Sequence, residues 1–270
     1  MNLLRVALAT ACVLSSLPAI AETGFLDRAV NVKDFTFRYQ VYVPLTWTAS
    51  EKWPVVLYLH GSDPVGTDGM SHVNGANGNA IRGDRARFPA VFVFPQARAA
   101  WSTAPMQDMA LAALDAAVSE FNGDLDRIYL TGFSLGGAGV VRIAGRWPER
   151  FAALIDVAGR IKPDWQGRQQ ATIDQDKLTH PFLAGSDPYT GLASVIRHLP
   201  ILVFHGDADA TAPVADSRAL VAALKAAGAP VRYTEYPNTD HNPTNVNVWA
   251  EKELMAWLLA QRRNVTARRP

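Results

Sequence analysis

The segment Gly132-Phe133-Ser134-Leu135-Gly136-Gly137 restricts this chain more than any other. It lies between a short apolar run, Arg127-Ile128-Tyr129-Leu130, and a helical stretch from Ala138 to Trp147. A strand, a tight turn and a helix in that order can present one serine hydroxyl above the edge of a sheet. A side chain at position 132 or 136 would crowd such a turn, and glycine avoids the clash. The helix that follows directs its free N–H groups and the positive end of its dipole at whatever reacts there. Ser134 therefore reads as an activated nucleophile. The competing reading is a glycine-rich strand end with a helix-capping serine.

The rest of the chain reads as α/β. Phe35, Phe37, Tyr39, Val41 and Val43 alternate with Thr36, Arg38, Gln40 and Tyr42, a strand with one apolar face. Phe25 to Asn31 is expected to pair with it as an N-terminal antiparallel hairpin. Strands at 55–60, 91–94, 128–130, 153–157, 201–205 and 231–236 are more continuously apolar, as strands buried on both faces should be. Helical stretches at 106–121, 138–147, 215–227 and 246–261 fall between most of them. The alternation predicts a mostly parallel central sheet with helices on both faces. Gly123-Asp124 is expected to close one helix and Gly228 another. Two segments exceed what a minimal sheet needs: residues 61–88, which read as a long loop rich in Gly, Asn and Asp, and residues 159–199, which read as a small lid insertion.

Residues 1–21 read as a secretory signal peptide. Arg5 supplies the positive start, 6–17 is apolar but too short to span a bilayer, and Ala19-Ile20-Ala21 is a small-x-small cleavage site. Cleavage after Ala21 is expected, with a periplasmic or secreted product, residues 22–270 forming one domain and no membrane attachment remaining. It removes the single cysteine, Cys12, and with it any disulfide, thiol nucleophile or cysteine-based metal site. It also removes Arg5 and leaves the basic and acidic residues in balance. No broad basic face for nucleic acid is implied.

A serine hydroxyl is a weak nucleophile until a base takes its proton, and the base must be held in one tautomer by an acid. Both partners should follow later strands, because those loops converge at the same sheet edge. His241, in Asn238-Thr239-Asp240-His241-Asn242 after the strand at 231–236, is the expected base. The acid is Asp209 or Asp207, both in the loop after the strand at 201–205; Asp209 is preferred, with Asp207 shaping the loop. Asp240 is adjacent to the base but poorly placed to face its ring. His60 and His205 each precede a glycine at a strand end and read as structural. The oxyanion needs two backbone N–H donors. Leu135, after the nucleophile, should supply one, and Ser62, in the loop after the strand at 55–60, the other, with Gly61 as the next candidate.

With these residues in place, the sequence resembles the α/β-hydrolase superfamily. Within it, the chain is similar to the secreted esterase branch that includes polyhydroxybutyrate-depolymerase-like, feruloyl-esterase-like and "predicted peptidase" proteins. The stretches that carry the resemblance are 39–44, 53–61 and 126–137, with His205-Gly206, Asp209, Pro213, 231–237 and His241-Asn242. It implies carboxylic-ester hydrolysis through Ser134, His241 and Asp209, without a cofactor, on a small-molecule or polymeric ester. Trp101, after the strand at 91–94, and Trp165, in the 159–199 insertion, are expected at the substrate pocket, with Pro181-Phe182 and Tyr189 in the lid. An aromatic wall of that kind would suit a feruloyl-type ester or a polyester. The same machinery serves a peptide bond, and a scaffold that has lost turnover would serve only binding.

Overall fold

A computed structural model describes residues 22–163 and 166–263. The expected signal segment and Trp165 lie outside the described residues. Eight strands form one sheet in the order β1-β2-β4-β3-β5-β6-β7-β8. They are β1 (Gly24–Val32), β2 (Phe35–Val43), β3 (Trp53–Leu59), β4 (Val91–Pro95), β5 (Gly123–Phe133), β6 (Ala153–Val157), β7 (Ile201–Gly206) and β8 (Val231–Tyr236). β1 and β2 form the antiparallel hairpin, and β2 joins β4 antiparallel. All pairings from β4 through β8 are parallel. The sequence expectation of a mostly parallel sheet behind an N-terminal hairpin is met.

Two apolar cores cover the two faces, and the period-two alternation of the strands assigns each side chain to one of them. Leu57, Leu59, Leu130 and Val203 face α2 (Ala104–Glu120), α3 (Leu135–Arg146), α5 (Pro188–Ile196) and α6 (Val214–Ala226). Val56, Tyr58, Tyr129, Ile155 and Phe204 face α1 (Ala76–Gly83), α7 (His241–Ala250) and α8 (Leu254–Ala260). The helix that carries the candidate nucleophile and the helix that begins with the candidate base thus lie on opposite faces and meet at one edge.

Several local expectations are corrected. The long 61–88 segment is not structureless. It contains α1, whose Ile81 is fully buried, and it packs against α7. The insertion at 159–199 divides into two parts. α5 belongs to the core through Leu192 and Ile196, whereas α4 (Gln170–Thr179) buries no side chain fully. The single helix expected over 246–261 is broken into α7 and α8. Glu251 leaves the helical region at φ −57°, ψ 118°. Arg87 reaches over to donate to the carbonyls of Trp249 and Glu251, at 3.1 and 3.0 Å, which satisfies acceptors that the break exposes. Gly123 does not end a helix: α2 stops at Glu120, the left-handed residue is Asn122 at φ 52°, and Gly123 opens β5.

Candidate active site

Ser134 stands between β5 and α3 at φ 57°, ψ −115°, a backbone conformation that L-residues rarely adopt. The turn is held because both flanking glycines touch backbone. A Cβ at Gly132 would lie 2.4 Å from the Gly136 carbonyl oxygen, and a Cβ at Gly136 would lie 1.9 Å from that of Leu59. Ser134 N–H donates to the Val157 carbonyl at 2.8 Å, tying the turn to the neighbouring strand. The hydroxyl makes no capping hydrogen bond to α3, so the helix-cap reading of this serine fails. Instead Ser134 Oγ lies 2.8 Å from His241 Nε2.

His241 is the first residue of α7 rather than part of a loop before the helix. Asp240 is its N-cap and accepts from His241 N–H at 2.7 Å and from Ala210 N–H at 3.1 Å. That use of the Asp240 carboxylate turns it away from the imidazole. His241 Nδ1 donates to Asp209 Oδ2 at 2.6 Å, which leaves Nε2 to accept from the serine hydroxyl. The Phe133 ring packs on the imidazole with centroids 4.7 Å apart and fixes its plane.

The Asp209 side chain is fully buried. Its other oxygen accepts from the Thr211 and Ala212 N–H groups at 2.8 and 2.7 Å. His205 Nε2 adds a third support. It lies 3.0 Å from the Ala212 carbonyl and 3.2 Å from Asp209 Oδ2, and Nδ1 faces Ser217 Oγ at 2.7 Å. Burial holds the His205 pKa below the ordinary histidine value, so its ring is neutral, donating from Nε2 and accepting the Ser217 hydroxyl proton at Nδ1. The choice between the two loop aspartates is resolved by direction: Asp207 Oδ1 accepts from Asn238 N–H at 2.6 Å and shapes the loop. Among the described residues no group of three or more His, Cys, Asp or Glu side chains converges as metal ligands.

Ser62 and Leu135, the two residues expected to supply N–H donors, line the same cavity as Ser134. The loop that carries Ser62 is fixed by His60. His60 Nε2 accepts from Ala97 N–H at 3.0 Å, which places the ring proton on Nδ1, and Nδ1 donates to the Gly61 carbonyl at 2.6 Å. Burial pushes the His60 pKa down to about 4, so the ring stays neutral in this role. Trp101 is corrected here. Its indole is wholly buried, does not line the cavity, and donates from Nε1 to the His60 carbonyl at 2.9 Å. It braces the Ser62 loop from behind. The expected lid aromatics are also turned inward: Phe182 is buried, and Tyr189 donates its hydroxyl to Asp216.

The cavity in front of Ser134 has a volume of about 910 Å³. No aromatic ring is among its described lining residues. Its floor is α3 with its N-cap, where Ser134, Ala138 and Arg142 recur at four-residue spacing on one face. Its outer wall is α4. The two are joined by Arg142, 3% exposed, whose Nη1 donates to Asp176 Oδ1 at 2.6 Å, with His180 Nδ1 2.9 Å from the same oxygen. The four-residue recurrence from Ser134 was the signal that could have identified Arg142 from sequence.

An imidazole placed to accept the serine proton, backed by a buried carboxylate, can raise the nucleophilicity of that hydroxyl. Backbone N–H groups at the foot of α3 can stabilise a developing oxyanion.

The model of the prolyl oligopeptidase family matches residues 95–264. Among solved structures, a thermostable esterase superimposes with a TM-score of 0.72 at 27% identity, covering 88% of this chain and 63% of that one. The chain thus spans less than two thirds of that esterase. The S-formylglutathione hydrolase from Agrobacterium tumefaciens superimposes with a TM-score of 0.65 at 17% identity, covering 91% of this chain and 98% of the other. The Pyrococcus horikoshii acylaminoacyl peptidase gives 0.63 at 17%, covering 90% of this chain and 42% of that one. These two show the shared fold. A search of curated proteins returns no match.

Proposed function

The chain belongs to the prolyl oligopeptidase family, within the α/β-hydrolase superfamily, and from that premise we propose that it is an exported serine carboxylic-ester hydrolase. The observation that carries this reading is the continuous contact from Ser134 Oγ through His241 to Asp209 at a sheet edge open to a cavity. The 27% identity to an esterase supports an ester over an amide. A cavity of about 910 Å³ has room for an aromatic acyl group or a polymer end.

In the first half-reaction Ser134 Oγ bonds to the ester carbonyl carbon while its proton passes to His241 Nε2. Asp209 stabilises the imidazolium through Nδ1–H. The N–H groups of Leu135 and Ser62 receive the oxyanion. The alkoxy C–O bond breaks, and His241 returns the proton to the leaving alcohol. In the second, water gives a proton to His241 and its oxygen bonds to the acyl carbon. The bond to Ser134 Oγ then breaks and the serine regains its proton. Export follows the reading of residues 1–21 as a signal peptide and is tested by sequencing the N-terminus of the mature protein, expected at Glu22.

A second reading, cleavage of a peptide bond, is favoured by the family match itself. Parallel assays on an aryl ester and a peptide amide of the same acyl group separate the two. Turnover of the ester alone, lost in Ser134→Ala, is the expected result. Turnover of the amide alone overturns it.

A further inference from the structure

The cavity in front of Ser134 has a charge that the rest of the molecule does not explain. After removal of Arg5 the basic and acidic residues of the chain balance. Yet the described lining residues of this one cavity include Arg142, Arg160, Lys162 and Arg168 against a single acid, Asp176. Asp176 is taken up by Arg142 and His180 at the inner end, where it joins α4 to α3. That pair cancels. Beyond that pair, the described lining residues carry Arg160, Lys162 and Arg168, all exposed on the segment between β6 and α4. Arg160 also acts electrostatically on Tyr189, whereas Lys162 and Arg168 are the two cations placed to meet a ligand in the cavity. Much of the lining is small and apolar, with Leu135, Ala138, Ala158, Pro163 and Ala171, beside the polar Thr172 and Gln175 of α4. A cleft lined by one sign of charge over low-dielectric walls attracts and orients ligands of the opposite sign.

We propose that the substrate is an ester that carries a second, anionic group, of the kind found in a half-ester of a dicarboxylic acid. Its reacting carbonyl lies at Ser134, its methylene or ring portion on the apolar floor, and its free carboxylate at Lys162 and Arg168. This rests on the ester-hydrolase reading and names the substrate class for it. Hydrolysis then follows the two half-reactions given above and releases an alcohol and a dicarboxylate. The second carboxylate takes no part in bond making; it sets which ester is held in register. Arg168 can accept a carboxylate with two parallel N–H donors, while Lys162 acts as a point charge.

The test compares kcat/KM for monoethyl and diethyl esters of succinic, adipic and sebacic acids, using the mature protein. The diester has the same reacting group and chain without the charge. At low ionic strength the half-ester should exceed the diester by about five- to ten-fold for at least one chain length, the range expected of exposed charge-assisted contacts. The ratio should fall toward one in about 0.5 M salt, because exposed charges are screened. K162Q/R168Q should bring the ratio near one at low salt, and K162E/R168E should push it below one. A wild-type ratio of one or less, or a ratio that survives both double variants, overturns the proposal and leaves ester hydrolysis standing. Failure to turn over either ester, with cleavage of a peptide amide instead, overturns both.

Discussion

His205 Nε2 lies 3.2 Å from Asp209 Oδ2, the same oxygen that receives Nδ1–H of His241 at 2.6 Å. The candidate acid is therefore held by a second, neutral histidine as well as by two backbone N–H groups. His205→Leu keeps the buried volume near its original value but removes this support. A hydrogen bond to a charged group contributes about 1.5–3 kcal/mol, so kcat should fall by roughly 10- to 100-fold with KM little changed. Steady-state kinetics with a melting curve checks this; an unchanged kcat would show that the two N–H groups suffice.

Ser134→Ala should lower ester turnover by on the order of 10⁶ while leaving the melting temperature close to that of the parent. Asp209→Asn should cost about 10⁴, because the imidazole loses its fixed tautomer. Labelling with a serine-directed phosphonate gives an independent reading: the parent should be modified at Ser134 and the alanine variant should not.

Ser62→Pro deletes one backbone N–H beside the serine. A single oxyanion donor is typically worth about 10² to 10³ in kcat, and a loss of that size is expected. Ser62→Ala keeps the N–H and should retain turnover within a few-fold, so the pair of variants separates backbone from side chain.

Gly136→Ala drives a Cβ to 1.9 Å from the Leu59 carbonyl oxygen, a rigid backbone atom. The strand and helix must separate, at a cost of about 3 kcal/mol, the upper end of ordinary overpacking. Denaturant unfolding should show the loss directly, and a variant as stable as the parent would mean that the elbow has more freedom than its contacts indicate.

Stability should rise with pH between about 4.5 and 6.5. Burial pushes the His60 and His72 pKa values down to about 4, from an ordinary value near 6.5. In that window the unfolded chain binds protons that the folded protein excludes, so each ring adds stability as pH rises, up to about 3 kcal/mol. Asp156 opposes them. Its fully buried carboxyl, with Gly137 and Gly159 so close that a Cβ at either would lie within 2.5 Å of Oδ1, is raised to about 7. It therefore costs stability as pH rises from near 4 to 7. Two rings outweigh one carboxyl, and the net slope is positive. Asp156→Asn should steepen the rise in melting temperature, and His72→Gln should flatten it.

The candidate site was legible in the sequence because each of its residues is tied to a strand end. Ser134 follows β5, Asp209 follows β7 and His241 follows β8, and parallel strands bring those ends to one edge. What the sequence could not show was direction. Asp207 and Asp209 look alike in the chain, and only the hydrogen bond from Asn238 N–H separates them. Trp101 lies next to the cavity residues Ala100 and Ser102, yet its ring turns inward to the His60 carbonyl. The break between α7 and α8 is stabilised by Arg87, 162 residues before Trp249, which no local pattern could reveal. Lys162 and Arg168 sit in an insertion whose sequence is marked by its aromatics, yet its charges and not its described rings line the cavity.

Because α3 and α7 pack on opposite faces, the serine and its imidazole partner come into register only after both layers have closed over the sheet. A nascent or truncated chain that has formed the β5 turn but lacks the last strand and helix would be chemically silent. Catalytic output from this molecule would thus double as an assay of finished assembly, and a chain cut anywhere before residue 241 would have to recover its missing segment in trans before it could act.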